Sequence, residues 1–577
     1  MKRKTMNTQQ SMTSYMSSSF NKIAGLLMLL LFVSPLFAQD PQSDYQEEVT
    51  IIGSYAPTIT DAYKINFNPQ IEGEKFELPE LTYSISPVQL NTSIELEKIR
   101  PARMTGEPLS KLYHNYIKAG FGNYGTPYGE FFINSLRNEE TQFGLHLRHH
   151  SSNSALKDYK YSTFSNNLAE AWFKKFFRRH TLSTRAFYKR NVVHYYGIMP
   201  ELMDSLNFEK DDLKQRFQTI GLDASFKSNY TDPDKLGHNI GLKYYNIADF
   251  YETSEHGFTF NAGLHKGAEL FDDYSSTFGL DLGLDYFSLS DSIESNSDGV
   301  FRIHPYADLN FGIYQLQLGF TTAFGLDSNN KVDFFPDIRG MVNIVPRYLT
   351  AFVGFTGGIE KSSFRKLAEE NPFITSIIPV AYTKNKMELY GGITGNIMEV
   401  VDYTVRVGSA SYENMPFFVA ASAGSQDTLN NAFSTKYDDA SMMNARFEIA
   451  YRHTEKLRLQ LTADYYNYST DSISEAYYKP QYKVRLGADY NIGNKILLSG
   501  EMIAYGKMHA RVPDPQAGDY VEEIDGWLDI NLGVEFRYTK NLSFFANLNN
   551  IGNTQYLRWY NYPVQKFNIL GGVTYSF

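Results

Sequence analysis

Cysteine is absent from all 577 residues. Its absence excludes disulfides, thiolate metal centres and a lipid-modified cysteine at a mature amino-terminus. Beyond the amino-terminal region, no apolar run reaches the roughly 20 residues that a transmembrane helix needs, and mean hydropathy is −0.37. Positive charge is the minority sign: 54 Lys and Arg stand against 64 Asp and Glu, a net charge of −10, which argues against a nucleic-acid partner. Tryptophan is scarce at 3, yet Tyr and Phe number 43 and 42 and aromatics reach 15%. Many rings combined with low hydropathy suit strands that are apolar on one face only and end in aromatic girdles.

The amino-terminus carries its own pattern. Lys2, Arg3, Lys4 and Lys22 precede an apolar core from Ile23 to Val33, followed by Ser34-Pro35-Leu36-Phe37-Ala38. A positive region, a short apolar core and a small residue at the end make an export signal, and the core is too short for an anchor helix. Residues 1–38 are therefore expected to be removed near Ala38.

Residues 39–110 read as an extended periplasmic segment. Pro57, Pro69, Pro79, Pro87, Pro101 and Pro108 punctuate it and break helices and ladders alike. Within it, Glu47-Glu48-Val49-Thr50-Ile51-Ile52-Gly53 is a β-prone run behind two acids. Two readings stand side by side: an edge strand added to a partner's sheet, or a short strand packed on its own barrel.

From Tyr113 onward the chain alternates. Leu457, Leu459, Leu461, Ala463 and Tyr465 fall on one face, and Arg458, Gln460, Thr462, Asp464 and Tyr466 on the other. Phe278, Leu280, Leu282, Leu284 and Tyr286 likewise oppose Gly279, Asp281, Gly283 and Asp285. Side chains alternate across a strand with period two. A soluble sandwich would not set Arg, Asp and His opposite a Leu row in strand after strand, whereas a barrel with a wet lumen would. The last stretch shows the same division, with Phe567, Ile569, Gly571, Val573, Tyr575 and Phe577 on its apolar face.

Short connections, such as 138–140, 178–180, 231–235, 345–347, 453–455, 491–494 and 538–541, alternate with longer ones around 192–214, 360–382, 411–437 and 507–525. Outer-membrane barrels place short turns in the periplasm and longer loops outside. Counting back from Phe577 predicts an all-β, transmembrane antiparallel barrel of about 22 strands over 111–577. The run Phe417-Phe418-Val419-Ala420 reads equally as loop or strand.

Several residues resemble the end of a known family. Asp529-Ile530-Asn531-Leu532-Gly533-Val534-Glu535-Phe536, Phe545-Ala546-Asn547-Leu548-Asn549-Asn550-Ile551, Gln555-Tyr556 and the terminal Gly571-Gly572-Val573-Thr574-Tyr575-Ser576-Phe577 look like the last strands of TonB-dependent receptor barrels. Arg558-Trp559-Tyr560-Asn561-Tyr562-Pro563-Val564 resembles a Bacteroidota type of such barrels. The resemblance implies a 22-strand outer-membrane barrel and makes Glu47–Gly53 similar to the box that TonB captures by strand addition. It also implies that the terminal strand carries the signal read by the barrel-assembly machinery. The departure is the plug: about 70 residues separate the signal from the first strand, and no plug domain is recognisable there.

A lumen of this size has to be filled by inward-folded loops, by segment 39–110 or by a partner. The stretch 360–382, with Phe373, Ile374, Ile377 and Ile378, either folds inward or meets a partner outside, and Phe417-Phe418-Val419 leans toward contact as well. His146, His149 and His150 cannot share one metal ion on a strand, because His149 points away from the other two. Glu294-Ser295-Asn296-Ser297-Asp298-Gly299 opens like a calcium loop but lacks the far acid, so it reads as a polar loop. No strained nucleophile turn, phosphate loop or paired-carboxylate cleft stands out, so neither catalysis nor a cofactor is expected.

Two functions remain. One is solute transport across the outer membrane of a Gram-negative bacterium by a receptor-like barrel without a plug, engaging TonB or another periplasmic protein through 47–53. The other is a non-transporting subunit of a larger outer-membrane assembly, with a lipoprotein or other subunits as partners. In both the barrel wall meets outer-membrane lipid.

Overall fold

An alternating segment is a stable strand only if its backbone groups are paired along both edges. The computed structural model shows how that is met. It describes residues 113–577 apart from 137, 158, 199–207, 272–273, 327–330, 422–430, 455 and 514–517. Of two units, Met1–Met104 and Thr105–Phe577, the described residues belong to the second. The expected signal 1–38, the segment 39–110 and the run Glu47–Gly53 lie outside the described residues.

Twenty-two strands form one antiparallel sheet. The first, Asn115–Gly122, pairs with the last, Asn568–Ser576, in the register Ala119↔Val573. Asn115 and Phe577 exchange backbone hydrogen bonds of 2.9 and 3.0 Å, which closes the barrel. Closure leaves no free edge and pairs the backbone throughout, as a bilayer demands. The seam is tight: a Cβ on Gly572 would stand 2.0 Å from the Ala119 carbonyl oxygen. The strand number and topology agree with the sequence-based expectation.

The period-two pattern separates two solvents. Phe143, Ile220, Leu222, Phe334, Val353, Leu389, Val407, Tyr465, Leu532 and Val573 are exposed on the outer wall. The inner wall carries ion pairs, among them Arg446–Asp464 at 2.6 Å and Arg185–Glu170 at 2.8 Å. So large a continuous apolar exterior is a lipid-facing band.

Tight turns join the strands at one end. At Ile492-Gly493-Asn494-Lys495 both central residues take φ near +57°, the geometry that follows hairpin twist and that Gly and Asn accept at least cost. The other expected short connections fall at this same end. The described parts of the connections 195–213, 363–380, 421–432, 471–481, 506–526 and 550–567 lie at the opposite end.

Two expectations are corrected. The stretch expected as loop 411–437 is mostly ladder: Val401–Ala420 and Phe433–His453 continue through it, and Phe417–Ala420 is strand. A bulge between Tyr412 and Met415, with Asn414 at φ +55°, shifts the alternation there and hides the strand. Residues 295–299, expected as a polar loop, begin the strand Ser295–Phe311, where Asp298 pairs with Phe287 and accepts a hydrogen bond from Lys361.

Candidate functional site

The lumen wall is built of amides, hydroxyls and paired charges. Gln460, Thr462, Asp464, Lys483, Arg485, Asp489, Ser499, Glu501, Asn531 and Asn547 line one continuous stretch of it. His146 belongs to the same wall, with Nε2 3.0 Å from Glu130 Oε1 and its ring stacked on Phe132 at 3.9 Å. His149 points to the outer face, as its register requires, and its Nδ1 meets Asn167 Oδ1 at 2.7 Å. Among the described residues, no cluster of three or more His, Cys, Asp or Glu side chains is arranged to hold a metal ion.

At the loop end the lumen meets a lid. Its first piece is the helix α1, Phe364–Glu370. Ser363 caps it by accepting from the Lys366 N–H at 3.2 Å. Phe364, Leu367 and Ala368 recur at helical spacing and are all buried, so the helix has one apolar stripe. That stripe packs on Phe217 and Ile247, side chains that point into the barrel from Lys214–Ser228 and Gly237–Ala248. Residues 360–382 therefore fold inward, one of the two readings open from sequence.

Glu255 fixes the helix start. Fully buried, it accepts from the N–H groups of Phe364 and Arg365 at 2.8 and 3.2 Å and from the Tyr245 hydroxyl at 2.8 Å. A buried carboxylate is tolerated when it is hydrogen-bonded in this way. At the other end Glu369 pairs with Lys189 at 3.1 Å and Glu370 with Lys479 at 3.2 Å. The helix is thus held by charge at both ends and by hydrocarbon in between.

Five other connections complete the lid around an aromatic core. Phe373 stacks on Tyr562 at 3.8 Å, and Tyr196 meets both edge-on, at 5.7 and 4.8 Å. Phe433 stands 5.6 Å from Tyr478, 5.6 Å from Trp559 and 5.8 Å from Tyr562. Phe418 meets Trp559 at 5.2 Å. Phe364, Ile374, Phe417, Phe418, Phe433 and Tyr562 are among the largest fully buried side chains of the described residues.

Polar pins tie the pieces together. Thr375 donates its N–H to the Phe433 carbonyl at 2.8 Å, and the Phe433 N–H donates to Phe373 at 3.0 Å. The Tyr195 hydroxyl donates to the Ile374 carbonyl at 2.6 Å, the Asn431 amide to Tyr195 O at 2.7 Å, and the Tyr196 hydroxyl to Pro563 O at 3.0 Å. Asp249, in the connection 249–253, accepts from Ser376, from Gln215 at 3.1 Å and from the N–H groups of Tyr251 and Thr253, both at 2.9 Å. Burial pushes its carboxyl above the ordinary value, against the opposing pull of those hydrogen bonds.

Ile374, Ile378, Phe417, Phe418 and Val419 are buried inside the lid, so their contact is internal, while Ile377 stays exposed. Phe567, Ile569, Val573, Tyr575 and Phe577 are exposed on the outer wall of the closing strand. The segments 195–213, 471–481 and 550–567 were not expected to meet, and the one signal for them was ring density at Trp559-Tyr560-Asn561-Tyr562.

Solved structures share this fold. The ferripyoverdine receptor of the outer membrane of Pseudomonas aeruginosa, bound to ferripyoverdine, aligns with a TM-score of 0.59 at 12% identity, over 81% of this chain and 72% of the receptor. A variant of the ferric enterobactin receptor of Pseudomonas aeruginosa, in complex with enterobactin, gives 0.58 at 12% identity, over 80% and 81%. The ferric-catecholate import receptor Fiu of E. coli K12 gives 0.58 at 10% identity, over 81% and 82%. Identity this low is a likeness of fold alone. No protein-family model and no curated protein matches the chain.

Proposed function

We propose that this protein is an outer-membrane barrel related to TonB-dependent receptors, and that it acts in solute transport across the outer membrane of a Gram-negative bacterium without a plug domain. One observation carries the reading: a closed 22-strand barrel with a polar lumen has its loop-end mouth covered by its own loops. In this reading the loops over the mouth take the place of a plug domain in protecting the permeability barrier. The fold shared with the ferripyoverdine and enterobactin receptors supports the receptor relationship. In this reading the short turns face the periplasm, residues 1–38 direct export, and Glu47–Gly53 offers a strand to TonB or another periplasmic protein. The strand face Phe567, Ile569, Gly571, Val573, Tyr575 and Phe577 is the signal for the barrel-assembly machinery. Transport by binding and passage requires no catalytic residue.

A second reading is favoured by the depth of the lid: with fully buried rings drawn from several connections, it also suits a permanently sealed, non-transporting subunit of a larger outer-membrane assembly. Conductance of the refolded protein in a planar bilayer, together with a pull-down from native membranes, separates the two. Transport predicts stochastic openings and no obligatory outer-membrane partner. A silent barrel that always co-purifies with the same lipoprotein or subunits refutes it.

A further inference from the structure

Within the connection 506–526, the strands Met508–Val512 and Tyr520–Ile524 form a two-stranded sheet of their own. Met508, Ala510 and Ile524 are buried in the apolar core of the lid, which holds the hairpin by one face. Its two edges differ. The His509 carbonyl accepts from the Tyr478 N–H at 2.9 Å, so the edge of Met508–Val512 is docked on the connection 471–481. That bond also fixes which way the backbone groups point. In an antiparallel pair, successive residues turn both N–H and C=O toward the partner strand, then both away from it. His509 turns away from Tyr520–Ile524, so its register partner Glu523 turns away too, as do Arg511 and its partner Val521. The N–H and C=O groups of Val521 and Glu523 therefore lie along the outer edge of Tyr520–Ile524. Among the described residues no strand pairs with this edge and no backbone hydrogen bond reaches it, and Tyr520, Val521, Glu522 and Glu523 are exposed.

An open edge is a template for one more strand. Charge limits which strand can add. In a symmetric pairing with a second copy, Val521 would bond to Glu523 of that copy about a twofold axis at Glu522. Glu522 would then face itself in a non-hydrogen-bonded position, where opposed side chains stand closest and like charges are destabilising. Glu523 is paired with Lys507 at 2.5 Å and Arg511 with Asp519, whereas Glu522 has no cationic partner among the described residues.

We propose that this edge captures an extended segment of a second protein, one that sets Lys or Arg opposite Glu522 between β-branched residues. Backbone bonds to Val521 and Glu523 supply the affinity. The Glu522 carboxylate selects a basic strand and rejects a second copy of this chain.

The test uses the full chain folded in detergent and the fluorescein-labelled peptide Thr-Val-Lys-Val-Thr, with binding read by fluorescence anisotropy. The wild-type protein should bind it saturably, and should bind the same peptide with Glu in place of Lys at least tenfold more weakly. Glu522→Lys should reverse that preference. Val521→Pro removes one outward N–H and keeps the bonds to Met508–Val512, so it should weaken binding at least tenfold. Methylating the peptide's backbone nitrogens should do the same with unaltered protein, which covers the case of a hairpin disturbed by the proline. Absence of saturable binding by the wild type up to millimolar peptide overturns the site, as does an unchanged preference in Glu522→Lys. A wild-type chain that dimerises in detergent and turns monomeric in Val521→Pro overturns the choice of occupant.

Discussion

Removing the Phe433 ring tests the lid at its centre. Phe433 is buried among Tyr478, Trp559 and Tyr562, and its backbone is bonded to both Phe373 and Thr375. Phe433→Ala keeps the backbone bonds and deletes the ring. A fully buried Phe→Ala change costs about 3–5 kcal/mol when the surroundings cannot collapse. Rings from the connections 471–481 and 550–567 pack on it and its backbone is bonded to 363–380, so collapse is restricted. At 1.4 kcal/mol per factor of ten, the opening equilibrium should shift by roughly two to three and a half powers of ten. The barrel below keeps its closed ladder, so the loss should fall on the lid alone. Hydrogen exchange of peptides covering 363–376 and 555–564 reads the opening directly, and single-channel recording reads it as conductance. Exchange in the strand Leu457–Thr470 serves as the internal reference. Unchanged protection in both lid peptides would refute the lid as a cooperative unit. Faster exchange across the strands as well would refute its independence from the barrel.

Glu255→Ala should release α1 by about 3 kcal/mol, the scale for orphaning buried donors to a charged acceptor, seen as faster exchange at 363–371 without loss of the heat-stable barrel. Asp249 should make the lid sensitive to pH. Its carboxyl is raised by burial in the closed form, so the closed form holds its proton longer than an open one. Closure is therefore strongest below the ordinary carboxylate value and weakens as pH rises through the window between that value and the raised one. Asp249→Asn should flatten this dependence in exchange at 249–253, and an unchanged slope would assign it elsewhere. Replacing Val49 and Ile51 by Pro should abolish site-specific crosslinking of the 47–53 run to the periplasmic energy transducer, and wild-type protein that never crosslinks removes the coupling role. Deleting Phe577 should lower the amount of assembled barrel in the outer membrane, measured by heat-modifiable mobility.

The wall could be read from sequence because its two solvents impose a local rule. In Leu457–Thr470 every second residue meets lipid and every other one meets a wet lumen, and register alone assigns Leu459 or Asp464 to its side. Where a bulge breaks the register, as between Tyr412 and Met415, the same rule misassigned strand as loop. The lid obeys no local rule. Tyr196 and Tyr562 meet at 4.8 Å although they stand 366 positions apart in the chain, and neither lies in a periodic segment. Apolar residues in 363–380 signalled contact but not direction. The direction was set by Glu255, a buried acid on a distant strand that receives the helix N–H groups and has no sequence mark to distinguish it from the lumen acids.

The distribution of polar and apolar contacts in the lid favours α1 as its moving part. The connections carrying Tyr196, Tyr478, Trp559 and Tyr562 are locked to one another by rings, and separating rings exposes hydrocarbon to water at full cost. Around α1 the apolar stripe is Phe364, Leu367 and Ala368, and the polar contacts include Glu255 with two N–H groups, Glu369 with Lys189, Glu370 with Lys479 and Lys366 with Glu360. The pairs Glu369–Lys189 and Glu370–Lys479 are partly exposed and can be exchanged for water or for a charged solute at a small net difference, whereas the fully buried Glu255 holds the helix start. If the barrel passes a solute as proposed, the solute should meet its least resistance where Lys189 and Lys479 can change partners. Opening would begin at the carboxy-terminal end of α1 and would then have to part Phe364 and Leu367 from the core they share with Phe433 and Tyr562. For transport, Glu255→Ala and Phe433→Ala should then differ in kind: the first should raise opening frequency at unchanged conductance, and the second should create a larger pore.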